Sequence, residues 1–506
     1  MHLALRRREV EVARMLIEHG ADVTAQDDYG ETPLYLASHK GQMEVALSLI
    51  ERGADVNTQN NGGEGPLHLA SREGSKDIAL MLIVRGANVT AQNEDGETPL
   101  HLASREGSMD VACMLIERGA DARSCNKDGD TPLHLASEDR SVDVACMLLE
   151  HGADVTAQNQ DGKRPLHLAS LHGQLEVARM LIERGADVTT KDSYWNSPLH
   201  VALAREQAKF ALMLIDRGAD LTVQNKYGST PLHLALLRRQ VEVAHTLIER
   251  GADVTVQDKG GDTPLHLASR GGQVELCRML IERGADLTAR NKDEETPLHF
   301  ASRTRELEVA RILIRHGADV EAQNKDGETA LHLASGWGRP VKEFVSMLLE
   351  HGAGTTAQNH DGATPLHLAT KWGWGREEIV CILIEHGADV NAQNSDGLTP
   401  YRLASQSMGR QITDLFFKHG ANTLAHTGKV SASENCQSLI ELISSQSFPL
   451  PVLIHLQPLT SPRLTLIYRK RRLLCHNHPP SQTTPSPSKI IASHRFLPDV
   501  PFFLQP

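Results

Sequence analysis

The chain has 506 residues, of which 23% are charged and only 4% aromatic, and its formal net charge is −12. That length exceeds what one ordinary globular core accommodates, so several domains or one open-ended array are expected. The acidic balance excludes nucleic acid as the main partner, because phosphate binding requires clustered Lys and Arg.

The opening Met1-His2-Leu3-Ala4-Leu5-Arg6-Arg7-Arg8 lacks the long apolar segment of a secretory signal. No run in the chain approaches the roughly 20 apolar residues that span a bilayer, so no membrane span is expected. The cysteines at 113, 125, 146, 277, 381, 436 and 475 form no paired framework and no CxxC motif, which suits a reducing compartment. An intracellular location follows, cytoplasmic first, with a nuclear one open. Cys113 and Cys146 lie 33 residues apart in equivalent slots. Stacked helices sit roughly 8–10 Å apart and a disulfide needs Cα atoms closer than about 7 Å, so both are expected as free thiols.

Proline sets the organisation. It recurs at 33, 66, 99, 132, 165, 198, 231, 264 and 297, always in steps of 33; Ala330 takes the next slot, and Pro365 and Pro400 follow in steps of 35. Of 23 prolines these slots hold 11, Pro340 is one more, and the rest lie after residue 440, so proline in the first part of the chain is a register mark.

One unit runs from Glu94 to Asn126. Thr98-Pro99-Leu100-His101-Leu102-Ala103 opens a helix with Thr98 as N-cap and Pro99 at the first helical position, where its missing N–H costs nothing. Gly107 fits the stop that follows. A second helix near Ser108 to Arg118 carries Val111, Ala112, Leu115 and Ile116 as one apolar stripe, and Gly119 ends it. Asn126-Lys127-Asp128-Gly129 has the composition of a tight hairpin tip. Each unit thus predicts helix, turn, helix and a protruding hairpin finger.

A 33-residue period carrying T-P-L-H-x-A resembles the ankyrin repeat family, over roughly residues 1–422 and about twelve repeats plus a partial N-terminal one. Full matches stand at Thr98–Ala103, Thr131–Ala136, Thr230–Ala235, Thr263–Ala268 and Thr364–Ala369. The resemblance implies an all-α repeat solenoid, a curved superhelix of helix pairs whose fingers project to one side and whose concave face binds proteins. No single unit buries its own apolar stripe, so each must stack on its neighbours. Such a body offers extended surface and no deep pocket.

Specificity is expected where units depart from their own consensus. Four units lack the glycine between the helices and carry Arg140, Glu206, Arg239 and Arg305 instead, which predicts a small backbone strain. The preceding Asp139, Arg205, Arg238 and Thr304 vary as groove-lining residues would. The tip usually reads Asp-Gly, as in Asp128-Gly129, but one becomes Tyr194-Trp195 and the next carries Tyr227 before Gly228. Large aromatics on an exposed finger resemble interface anchors; drift at a tolerant loop tip is the rival reading. Two late units gain residues between their helices, and Trp337 and Trp372 fall at equivalent positions there, with Trp374 close by. They form a second candidate surface, or else pack locally to close a longer turn.

The two ends differ. Residues 1–20 are a partial first repeat that lacks its hairpin and N-cap; either a segment precedes it or Arg6, Arg7 and Arg8 solvate its end. Residues 399–422 read as a degenerate C-terminal cap. From 423 to 506 the chain is rich in Pro and Ser and is expected to be mostly disordered. Its basic run Tyr468–Arg472 reads as a solvated charge cluster or an import signal, and Cys475-His476-Asn477-His478 has no second cluster at zinc spacing.

The 26 histidines suggest metal or acid–base chemistry until they are placed. Eleven sit in the motif slot, including His68, His101 and His134, and six precede the glycine after the second helix, including His19 and His151. A residue recurring in every unit belongs to the scaffold, and neutral imidazole can accept at one nitrogen and donate from the other. A ladder tying each helix start to an adjacent finger is expected. No Walker A pattern, H-E-x-x-H or G-x-S-x-G occurs. The sequence therefore predicts a non-enzymatic, monomeric scaffold or adaptor for protein partners, with no cofactor and no metal. Its candidate contact residues are Tyr194, Trp195, Tyr227, Arg205, Arg238, Trp337, Trp372 and Trp374. The alternative is a sensing or substrate-recruiting part of a larger NTPase, ubiquitin-ligase adaptor or channel.

Overall fold

Proline at the first helical position fixes φ and dispenses with an N–H that has no intrahelical acceptor, so the proline slots dictate where helices begin. The computed structural model describes residues 1–421 apart from 40, 140, 337–341, 372–375 and 408–409. In it first helices start at Pro33, Pro66, Pro99 and each later slot to Pro400, with one starting at Ala330. Among the described residues there are 26 helices, from His2–Arg6 to Arg410–Lys418, and no strand. They form serial pairs such as Pro99–Arg105 and Met109–Glu117. Gly107 separates those two at φ +68° and Gly119 stops the second at φ +93°, both where a side chain would be strained. The architecture is an all-α repeat solenoid, as the period predicts.

The stripes meet between units. Leu100, Ala103, Val111, Ala112 and Leu115 are fully buried, and their equivalents extend the seam along the chain. Burying each leucine contributes roughly 1.5–3 kcal/mol, but only when a neighbour supplies the other wall.

The fingers differ from the expected hairpins in having no paired strands. In the finger after Met109–Glu117 the Asn126 N–H donates to the Asp130 carbonyl at 3.0 Å and the Gly129 N–H to the Asn126 carbonyl at 3.0 Å. The Asn126 side-chain oxygen accepts the N–H groups of Asp128 (3.0 Å) and Asp130 (2.8 Å). Five residues are too few for a ladder, so an Asn-anchored turn closes the tip. Pairing runs between fingers instead: the Lys127 N–H donates to the Asp95 carbonyl at 2.8 Å, and equivalent bonds repeat from Asn61–Tyr29 to Ser395–Asp361.

The histidines bind unit to unit. At the third helical position His101 Nδ1 accepts the Thr98 N–H at 3.1 Å, with the Thr98 hydroxyl donating to it at 2.8 Å. Because a backbone N–H can only donate, Nδ1 carries no proton and Nε2 must. That Nε2–H donates to the Asp130 carbonyl, 29 residues on, at 3.1 Å. His134, His167, His200 and the later members repeat the arrangement, ending with His367 and Leu398 at 3.0 Å. The second set caps its own helix: Nδ1–H of His19, His151, His316, His351 and His386 donates to the carbonyl four residues back.

The first unit is tied in by His2, whose Nε2 lies 2.8 Å from the Glu31 carbonyl, and by Arg6, paired with Asp27 at 2.6 Å and Glu31 at 2.8 Å. Arg6 is therefore a bridge to the next finger, not a solvating charge. In the last unit Tyr401 packs edge-on against Phe416 and Phe417, at 6.2 and 5.2 Å between centroids. No helix among the described residues is long and apolar enough to cross a membrane. The 423–506 tail, with Tyr468–Arg472 and Cys475–His478, lies outside the described residues.

Burial pushes the ladder imidazoles down, to about 4 for His101, His167, His200, His299 and His332. A lowered histidine binds fewer protons folded than unfolded, so its contribution is complete above about pH 6.5 and is lost as pH falls towards 4. Each such imidazole should cost on the order of 1–2 kcal/mol by pH 5. Thermal melts followed by helical circular dichroism should give a constant Tm from pH 7 to 8 and a steep decline below about 6.5. An unchanged Tm at pH 5 would contradict the ladder's energetic role.

Candidate protein-binding surface

In three units the finger stands beside the C-terminal end of the first helix. Ion pairs between residues eight apart join the two: Glu64 with Arg72, Glu97 with Arg105, and Glu295 with Arg303. A cleft of about 360 Å³ shows the geometry, with Gly260 and Asp293 contributed by two fingers and Arg270, Phe300, Arg303 and Thr304 by the adjoining helices. The period then assigns the rest of the groove: Ala204 and Leu237 hold the slot of Arg303, and Val201 and Leu234 that of Phe300.

Tyr194 is 47% exposed, Trp195 58% and Tyr227 54%, on adjacent tips. The tips are coupled, since the Lys226 N–H donates to the Tyr194 carbonyl at 2.8 Å. The Lys226 ammonium lies 5.4 Å from the Tyr194 ring centroid, a cation–π contact. Asp192 builds the turn by accepting the Tyr194 and Asn196 N–H groups at 2.8 Å each. The closing Trp195 N–H donates to the Asp192 carbonyl at 2.9 Å, which holds Trp195 at φ +62°, the region glycine occupies at neighbouring tips. Tyr29, which sequence reasoning passed over, is 66% exposed at the tip before Gly30. Its slot matches that of Tyr227, and that register was the available signal.

Arg205 and Arg238 are exposed just past Pro198–Ala204 and Pro231–Leu237, and Arg238 reaches Glu206 at 3.8 Å. The strain expected where glycine is missing is present, with Glu206 at φ +60°, Arg239 at +53° and Arg305 at +62°. Trp337, Trp372, Trp374 and Arg140 lie outside the described residues.

Charge changes character along the groove. Early units pair Glu with Arg across it. At the next position Glu138 replaces the arginine and faces Asp130; burial first, and Asp130 second, hold its carboxyl above the usual carboxylate range. Leu171, Ala204 and Leu237 follow in the same slot, so the central groove has no charge there, and Leu237 is 46% exposed. In the sequence the leucines of this run look like core residues, and only exposure separates Leu237 from them.

Among the described residues no three His, Cys, Asp or Glu side chains are grouped to hold a metal ion. Cys113 and Cys146 are free thiols, as the stacking distance predicted. A family model of ankyrin repeats, in a three-copy form, matches residues 1–60, 67–159, 118–192, 192–258, 253–324, 316–394 and 343–426. No curated protein matches the chain.

Left-handed backbone at a side chain other than glycine costs roughly 1–2 kcal/mol. Trp195→Gly should therefore stabilise the array by about 1 kcal/mol, read as a higher urea midpoint with an unchanged slope. A lower midpoint would mean that the indole contributes to packing.

Proposed function

The chain belongs to the ankyrin repeat family, and on that premise we propose that it is a scaffold or adaptor that binds partner proteins through its groove and finger tips, without catalysing a reaction. Ankyrin repeats are in general protein–protein interaction modules. The observation that carries the reading is the set of exposed aromatics Tyr194, Trp195 and Tyr227 on two coupled tips. Tyr and Trp offer large contact area at a low entropic cost of immobilisation and are enriched among interface anchors. The tips are hydrogen-bonded to each other and to the ladder, so the surface is preorganised and little is lost in ordering it on association. Arg205 and Arg238 flank the same groove as polar contacts. Trp337, Trp372 and Trp374 belong to the proposal as a second surface.

Affinity capture from the native cell, followed by mass spectrometry, identifies the partner. With that partner in hand, alanine at Tyr194, Trp195 and Tyr227 together should weaken binding at least tenfold while leaving the Tm no lower. Binding unchanged by the triple substitution would remove the finger tips from the interface.

A further inference from the structure

We propose that the central groove recognises an extended acidic segment carrying apolar side chains, a reading that rests on the protein-binding role above and specifies its chemistry. Although the chain is acidic overall, residues 191–262 are balanced, with nine Lys and Arg against nine Asp and Glu. Consecutive tips carry Lys226, Lys259, Lys292 and Lys325, all exposed. The Lys292 tip also exposes Asp293 and Glu294 and the Lys325 tip Asp326, so the cationic part of the row is Lys226 and Lys259, with Lys191 just before the preceding tip. Neither Lys226 nor Lys259 has an ion-pair partner among the described residues. Asp258, the nearest carboxylate in sequence, is taken up by its own turn, accepting the Gly260 N–H at 2.7 Å and the Asp262 N–H at 3.0 Å.

The floor beneath these tips is apolar. Units on either side place charged residues at the end of the first helix, as with Arg105, Glu138, Arg270 and Arg303. The central units place Ala204 and Leu237 there, with the half-buried Val201 and Leu234 one turn earlier. Tyr194, Trp195 and Tyr227 extend the apolar wall up the fingers, and the Lys226–Tyr194 contact holds an ammonium over it.

A ligand that satisfies the site alternates carboxylates, aimed at the tip ammonium groups, with apolar side chains lying on Leu234 and Leu237. An extended peptide has that alternation, since successive side chains point to opposite faces. About a dozen extended residues span roughly 40 Å, enough for three to four tips at roughly 10 Å spacing. Glu138 and Asp130, which face each other where earlier units have a Glu–Arg pair, repel such a ligand and bound the register on that side.

The test uses the full chain and a fluorescein-labelled peptide of alternating glutamate and leucine, about a dozen residues long, followed by fluorescence anisotropy. Saturable binding that weakens with added salt is expected. Reversing the charges with K226E and K259E should reduce it at least tenfold without altering the circular dichroism, and L237D should reduce it through the floor. No saturable binding, equal binding of a lysine–leucine peptide, or tighter binding of a single-stranded oligothymidine would each overturn the proposal. If the cellular partner is still captured by the reversed-charge protein, the scaffold reading stands and this one falls. If the peptide binds but the native chain captures no protein, the scaffold reading fails and the groove's chemistry remains.

Discussion

The structure depends on one imidazole used twice. At the third helical position motif histidines from His68 to His367 accept the N-cap N–H of their own helix and donate to a carbonyl in the next finger, 29 residues on for His101 and 31 for His332 and His367. A helix start leaves N–H groups without intrahelical acceptors, and a finger of five residues leaves carbonyls unpaired. One buried side chain resolves both, and it does so across the boundary between units. The bond that completes one repeat thereby positions its successor, and leucine seams such as Leu100 with Leu115 close only because that position is held. Neutrality is a condition of the arrangement, since a proton on Nδ1 would oppose the donor it faces.

The same repetition decides where recognition can be located. Slots filled by proline, by the ladder histidines, by Leu100 or Ala103 and their equivalents are occupied by folding in every unit. What remains free is the tip, the finger root and the end of the first helix, and these are the slots where residues vary. Variation there need not weaken the stack, because the tips are joined through backbone atoms; the Lys226–Tyr194 bond forms whatever side chains the two residues carry. Trp195 departs from this economy by standing at φ +62° where its neighbours have glycine. A strained position on an exposed finger is where an interface anchor is worth its conformational cost.

Much of this was legible in the chain. Proline at the helix start and glycine at its end have local physical reasons, so helix boundaries such as Pro99–Arg105 could be read without neighbours. The left-handed backbone at Glu206, Arg239 and Arg305 followed from glycine's absence at a stop it normally fills. Other features were hidden. Tyr29 stands before Gly30 as Tyr227 stands before Gly228, so the register carried it, but its exposure came only with the fold. Arg6 looked like a solvated charge until Asp27 and Glu31 were placed beside it. Leu237 reads as a core leucine on periodicity alone, since a helix seven residues long has too few turns to separate the buried face from the groove.

By itself the sequence determined the repeat, its register, the caps and the scaffold role of the histidines, because each of these is an interaction within one unit or with the unit 33 residues away. Only the tertiary structure decided which side chains share the groove, that fingers pair with fingers through Lys127 and Asp95 and their equivalents, and that Leu237 is exposed. Those properties arise from residues brought together by stacking, and side-chain identity states nothing about neighbours until the stack has formed.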